Sequence, residues 1–548
     1  MRLLSKTGAV LALGALVLTG CGQTAQRTEK PEAAGGGAAS PGTGLSITTP
    51  AARGELDKVT WDIPYGEPST LDWVRSYAYQ ENTVLANVCE SLLRLTPDFT
   101  VEPGLAEFAN PTPTTWTYTL RPGLRFAGGN PVTADDVVFS LKRAADPRQS
   151  YYTSFTGNIA GIDKSGDDQV TIRLKHPDYA FNAMLATAMG VVAEKAYVEA
   201  KGKEYGTPGG GVSCVGPYRL ASWESGRRIT LERVDDYYDA AHRPKVKQVV
   251  FTFVSDPSAI VNSLLSGELD GTYQVPVQGL DKLRAGGSGT LYSGPGGEVQ
   301  SIYVTGRQSP MHNPKVRKAL QLAIDRAAIA RTVFLGSATP TASIVPPSAW
   351  GYATDALRTL NIADVSGTPD LETAKRLIAE AGDVSGTIIL AAATDDGQSG
   401  QIAAEVQSAG RKLGLDIQIK PQTTNQIVPL YFDPKAREQV SMWFAQTYLD
   451  VPDPLNALPR LASTGGGSNY SGYSNPIVDR ELKAAVGSRT PTARAEHVAV
   501  ATKVLTEEMP VIPLARMNNH LFMNKRLTGA PASFCYLYYP WARDLGAA

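Results

Sequence analysis

Short runs of alternating apolar and polar residues recur along the chain and predict strands at Val59–Ile63, Trp116–Leu120 and Val170–Leu174. Between them lie stretches with apolar residues three and four apart, the spacing of a helix face. Thr133 is the candidate N-cap of one such helix, with Asp136 three residues on and Val137, Val138, Phe139 and Leu141 as its apolar face. Pro314–Ile329 predicts a second amphipathic helix with proline at its first position. Leu371–Ala381 ends at Gly382, and Ile402–Leu413 ends at Gly414 before a strand at Asp416–Lys420. This mixture predicts α/β lobes with no solenoid repeat.

The first 56 residues break the pattern. Arg2 and Lys6 precede an apolar run from Ala9 to Leu18, about half the 20 residues that a membrane-crossing helix needs. Those are the flanks and length of an export signal. Leu18-Thr19-Gly20-Cys21 resembles the bacterial lipobox, which implies cleavage after residue 20 and a lipid on Cys21. Residues 22–56 are mostly Gly, Ala, Ser, Thr and Pro and predict a flexible tether. The expected order is a signal at 1–20, a tether at 21–56 and a body held at the outer face of the cell membrane. No later segment has the apolar length to span.

Composition narrows the body. A chain of 548 residues, 43% hydrophobic and 19% charged, exceeds what one core organises, so at least two lobes are expected. Lys plus Arg (52) nearly balances Asp plus Glu (53), which argues against a nucleic-acid binder. Four cysteines are too few for a disulfide scaffold; beyond Cys21, the pairing among Cys89, Cys214 and Cys535 is open. His176, His242, His312, His497 and His520 are dispersed and form no metal-site motif. Gly202-Lys203 lacks the upstream glycine of a phosphate loop, and there is no G-x-S-x-G elbow. Asp135-Asp136 suit a helix N-terminus, and Asp163, Asp167 and Asp168 a turn. No catalytic residue, metal or cofactor is expected.

Several blocks resemble one family in order. They are Glu90-Ser91-Leu92-Leu93 with Pro103-Gly104-Leu105-Ala106-Glu107, Tyr118 to Phe126 with Gly129 to Ser140, and Val215-Gly216-Pro217-Tyr218 with Leu231-Glu232-Arg233. Asn313 to Leu320 with Ala323-Ile324-Asp325-Arg326, and Met509-Pro510-Val511-Ile512-Pro513-Leu514, complete the set. They resemble the bacterial extracellular solute-binding proteins of the peptide/nickel family, which serve ATP-driven (ABC) importers.

The resemblance implies an α/β, two-lobed periplasmic-binding-protein clamshell, type II and cluster C-like, with an extra inserted domain. Domain I would combine residues 57–88, 184–293 and 511–548, domain II would be 89–183, and domain III 294–510. It implies a monomer that captures a short peptide by lobe closure and delivers it to an importer permease, without enzymatic activity. Relatives fix the peptide ammonium with an Asp in a block that Thr447-Tyr448-Leu449-Asp450-Val451-Pro452-Asp453-Pro454 resembles, so Asp450 is the candidate. Thr447 stands where relatives often carry Trp. Flanking segments map onto Tyr77-Ala78-Tyr79 and Thr447-Tyr448-Leu449, with Thr394, Gln398 and Arg307 as further candidates. Two other readings stay open: the same fold holding a nickel chelate, opine, haem-like compound or oligosaccharide, and an exported hydrolase.

Overall fold

The computed structural model describes residues 45–63, 65–76, 78–363 and 365–548. The expected signal, Cys21, the tether up to residue 44, and Tyr77 lie outside the described residues. Residues 45–56 fall within the stretch expected to be tether, yet they are held. The Ser46 N–H donates to Ser293 O and the Arg53 N–H to Ala547 O, both at 2.8 Å, and the Thr49 hydroxyl to Ala530 O at 2.9 Å. Backbone pairing anchors them, and a count of apolar side chains does not register it.

Two sheets carry the architecture. Their strands are β1 (Leu56–Asp62), β2 (Ala106–Thr112), β3 (Thr115–Leu120), β4 (Ile159–Lys164), β5 (Gln169–Leu174), β6 (Tyr218–Glu224) and β7 (Arg228–Arg233). The rest are β8 (Val246–Thr252), β9 (Gly271–Tyr273), β10 (Gly289–Val304), β11 (Thr387–Ala393), β12 (Asp416–Gln422), β13 (Met442–Tyr448) and β14 (Val511–Asn524). The large sheet runs β12-β11-β13-β10-β14-β9-β1-β8-β7-β6, and the small one β2-β3-β5-β4. β1 pairs in parallel with β8 and β9, and β11 in parallel with β12 and β13. The long antiparallel strands β10 and β14 join these two parallel groups.

That join is kinked. The first half of β10 pairs with residues 518–524, the second half with residues 511–516 and with β13, and the register slips between Pro295 and Val299. Gly296 sits in the slip, where a Cβ would come within 2.2 Å of the Met517 carbonyl oxygen. Only glycine lets the two backbones approach so closely.

Apolar residues of β10 and β13 divide between two cores. Tyr303, Trp443 and Ala445 enter one, and Ile302, Val304, Met442 and Phe444 the other. A third, larger core surrounds Trp61, Tyr273 and Trp541 and takes in the small sheet. Helix α1 (Tyr79–Val88) ends at Cys89, which is disulfide-bonded to Cys214 and so closes the question of pairing. Cys535 is the free, buried thiol, 3.2 Å from the Ser533 hydroxyl.

Local signals hold where their partners are near in sequence. Helix α2 (Ala134–Ala144) opens on the expected Thr133–Asp136 capping box. Helix α3 (Pro314–Ala323), expected to run to Ile329, stops six residues sooner. The backbone turns extended at Ile324, and Asp325 caps a new turn by accepting from the Ala328 N–H at 2.7 Å. A short polar side chain competing for backbone donors ended the helix. Helix α4 (Leu371–Ala381) has the expected bounds, and α5 (Ser399–Lys412) begins three residues before the expected Ile402 and ends one before Leu413.

Candidate functional site

Successive side chains of β13 point to opposite faces of the sheet. Thr447 follows Trp443 and Ala445 into the core, where its hydroxyl lies 3.0 Å from that of Tyr303. Leu449 continues the same face, fully buried, while its N–H donates to Gly297 O at 3.0 Å. Tyr448 and Asp450 therefore turn the other way. Glu298 stands directly opposite Tyr448 in the ladder and shares that face.

Aromatic residues from distant segments complete it. Tyr79, at the first position of α1, donates its hydroxyl to the Glu298 carboxylate, and its ring meets Tyr448 edge-on with centroids 6.1 Å apart. Tyr538 donates to the Asp450 carboxylate. Tyr65 lies 5.6 Å from Tyr79, and Phe534 6.3 Å from Tyr448. The result is a tyrosine wall carrying two carboxylates, placed where the halves of the large sheet meet.

Electrostatics single out the carboxylates. Burial pushes Asp450 above the usual carboxylate range, against the pull of the Tyr538 hydroxyl and of Arg460. Burial raises Glu298 too, opposed by Tyr79. The hydroxyls of Tyr79, Tyr448 and Tyr538 are driven up, first by burial and then by the adjacent carboxylates, so they remain protonated. Arg460 is already shared among the Asn456 carbonyl and Ser468 hydroxyl at 3.2 Å and the Tyr448 carbonyl at 3.3 Å. A desolvated carboxylate with so little compensation is costly, and a bound cation relieves it.

The strand beside this wall is open. β11 pairs with β13 at Met442 and Trp443 alone, and among the described residues no strand pairs with that edge of Ala445–Tyr448. Thr394 follows the end of β11 at the same carboxyl edge, its hydroxyl turned to the Gln422 carbonyl at 3.2 Å. Gln398 precedes α5 in the following loop, its N–H donating to Asp396 at 3.0 Å. Ala78 is exposed at the cap of α1, beside Tyr79. Arg307 is not brought to this group. It lies past Val304, at the opposite end of the ladder and about 20 Å from Tyr448. There its guanidinium donates to the Ser441 hydroxyl at 3.2 Å and the Thr387 carbonyl at 3.4 Å.

Glu298 and Tyr538 were not anticipated from sequence. Alternation along β13 could have set Tyr448 and Asp450 apart from Thr447 and Leu449, but nothing local pairs Glu298 with Tyr448. Among the described residues no group of three His, Cys, Asp or Glu side chains could hold a metal ion, and no helix is long and apolar enough to cross a membrane.

Comparison with known proteins places this geometry. Residues 100–469 match the model described as bacterial extracellular solute-binding proteins, family 5 Middle. The chain is 26% identical over 479 residues to the oligopeptide-binding protein OppA of Bacillus subtilis, covering 81% of this chain and 85% of that one. It is 28% identical over 517 residues to the periplasmic oligopeptide-binding protein OppA of Salmonella typhimurium, covering 89% and 92%. Among solved structures, the ABC transporter substrate-binding protein CtaP of Listeria monocytogenes superposes with a TM-score of 0.77 at 21% identity, covering 90% of this chain and 99% of that one.

Proposed function

Because the chain belongs to the bacterial extracellular solute-binding proteins of family 5, we propose that it captures short peptides outside the cell and hands them to the permease of an ABC importer. The observation that carries this reading is Asp450. Its carboxylate is buried at the end of an open strand edge, raised by desolvation and flanked by tyrosines. A peptide's α-ammonium supplies the missing cation, and its backbone pairs as an added strand with the edge of Ala445–Tyr448 that no described strand occupies, beside the Arg460 contact to the Tyr448 carbonyl. Such an arrangement reads the peptide's terminus and main chain, and leaves side chains to the tyrosine wall. Two relatives named as oligopeptide-binding proteins support the peptide class.

The two lobes close about the kinked strands β10 and β14, with residues 57–88, 184–293 and 511–548 on one side, 294–510 on the other, and 89–183 as the insert. Closure buries the peptide and presents a joint surface of both lobes to the permease. The protein acts as a monomer without enzymatic turnover, and a lipid on Cys21 keeps it at the membrane. Titration calorimetry with di-, tri- and tetrapeptides tests the reading. Saturable binding with the peptide recovered intact is expected; no heat from any peptide, and none co-purifying by mass spectrometry, overturns it.

A further inference from the structure

The wall holds two carboxylates, and one α-ammonium answers only one of them. Glu298 lies opposite Tyr448, Asp450 follows two residues after the strand ends at Tyr448, and both carboxylates act on the Tyr448 hydroxyl. Glu298 accepts from Tyr79 and has no cationic partner among the described residues. Arg460 acts on Asp450, not on Glu298.

A separate observation points to the same spot. Tyr536 is fully buried and stacks face to face on Tyr273 at 3.7 Å. Its hydroxyl faces the side chains of Gln274 and Thr83 and lies within electrostatic reach of Glu298. Tyr79, Tyr448 and Tyr536 all lie within reach of that carboxylate, and aromatic rings beside an anion suit a second cation.

We propose that Glu298 is a specificity residue that selects peptides with a basic side chain on their first residue. The inference rests on the peptide reading above, with the α-ammonium at Asp450. A lysine side chain carries its own ammonium four methylenes from the α-carbon, so one residue can offer its α-ammonium to one acid and its side-chain ammonium to the other. A neutral first residue leaves Glu298 desolvated without a counter-charge, so neutral peptides bind more weakly. The geometry favours the first residue over the second, because side chains alternate along an extended peptide and the second points away.

Calorimetry on the full mature protein decides this, with two matched pairs of probes: Lys-Ala-Ala against norleucine-Ala-Ala, and lysinamide against norleucinamide. The lysine member of each pair is expected to bind at least tenfold more tightly. Glu298→Gln should abolish that ratio by weakening the lysine probes and tightening the norleucine probes, and unfold at nearly the parent temperature. Tyr79→Phe, which keeps the carboxylate, should retain the preference. Equal affinities within both pairs for the parent protein overturn the proposal, as does a preference that survives Glu298→Gln. A lysinamide preference without any tripeptide binding would support the second cation site and overturn the peptide reading instead.

Discussion

Tyr538 donates its hydroxyl to the carboxylate of Asp450, so a residue near the C-terminus holds the charged group of a strand 88 positions earlier. Both side chains are buried. That hydroxyl, Arg460 and the residue's own backbone N–H only partly offset the desolvation of the anion. Asp450→Asn therefore removes an electrostatic cost from the free protein while removing the proposed anchor for the peptide. We expect peptide affinity to fall about 100-fold or more, the loss typical of breaking a buried charge pair, with no drop in unfolding temperature. Calorimetry and thermal unfolding of the same preparation check both halves.

Affinity should also depend on acidity through the same group. Burial raises Asp450 in the free protein, and a bound ammonium draws it back down. The bound state therefore holds fewer protons, and acidification through the raised value weakens binding. Titrations across a pH series should show this in the parent and not in Asp450→Asn. A parent affinity that stays flat into the acid range would refute the pairing.

His520 predicts a distinct effect on stability. Burial lowers its pKa from 6.5 to about 4, and its ring lies 3.0 Å from the Ser293 hydroxyl. The unfolded chain takes up a proton below about 6.5 that the folded chain refuses until about 4. Stability from this group is complete above 6.5 and is lost as the pH falls toward 4, by up to about 3 kcal/mol. Asp453, raised by burial to about 6, works in the opposite sense, so the test is a difference. Denaturant unfolding at pH 7 and pH 5 should show less acid sensitivity for His520→Gln than for the parent.

The Cys89–Cys214 disulfide closes a loop with a sequence separation of 125. Chain-entropy reasoning gives such a cross-link roughly 4–5 kcal/mol. Cys89→Ser with Cys214→Ser should lower the denaturant midpoint accordingly and remove its sensitivity to reducing agent. Cys535, buried and pushed up by burial, should stay unreactive to alkylation until the protein unfolds.

Cys21→Ser tests the proposed anchor. The variant should leave the membrane fraction for the soluble exported fraction and lose metabolic labelling with a fatty acid. Peptide affinity should be unchanged, since Asp450 and its neighbours lie in the folded body.

What sequence reveals here follows the range of each interaction. The Thr133–Asp136 capping box spans three residues and is read directly. Helix α3 is overextended on periodicity alone, because the stop comes from Asp325, whose N–H is in turn held by the Glu405 carboxylate at 3.1 Å. Asp450 is a candidate because its block resembles a known one. Glu298 escaped because its meaning depends on the register of β10 against β13, strands more than a hundred residues apart. Arg307 follows β10 at the end away from Tyr448, which only the register reveals.

The order of synthesis gives the kinked join a further consequence. β14 lies between β10 and β9 in the large sheet, yet it is the last long strand of the chain. Until residues 511–524 leave the ribosome, neither half of the sheet has its neighbour, and the central contacts cannot form. Such late, long-range pairing slows folding. The seam between the two halves is thus completed only when the chain is nearly finished, after each half has all of its other strands.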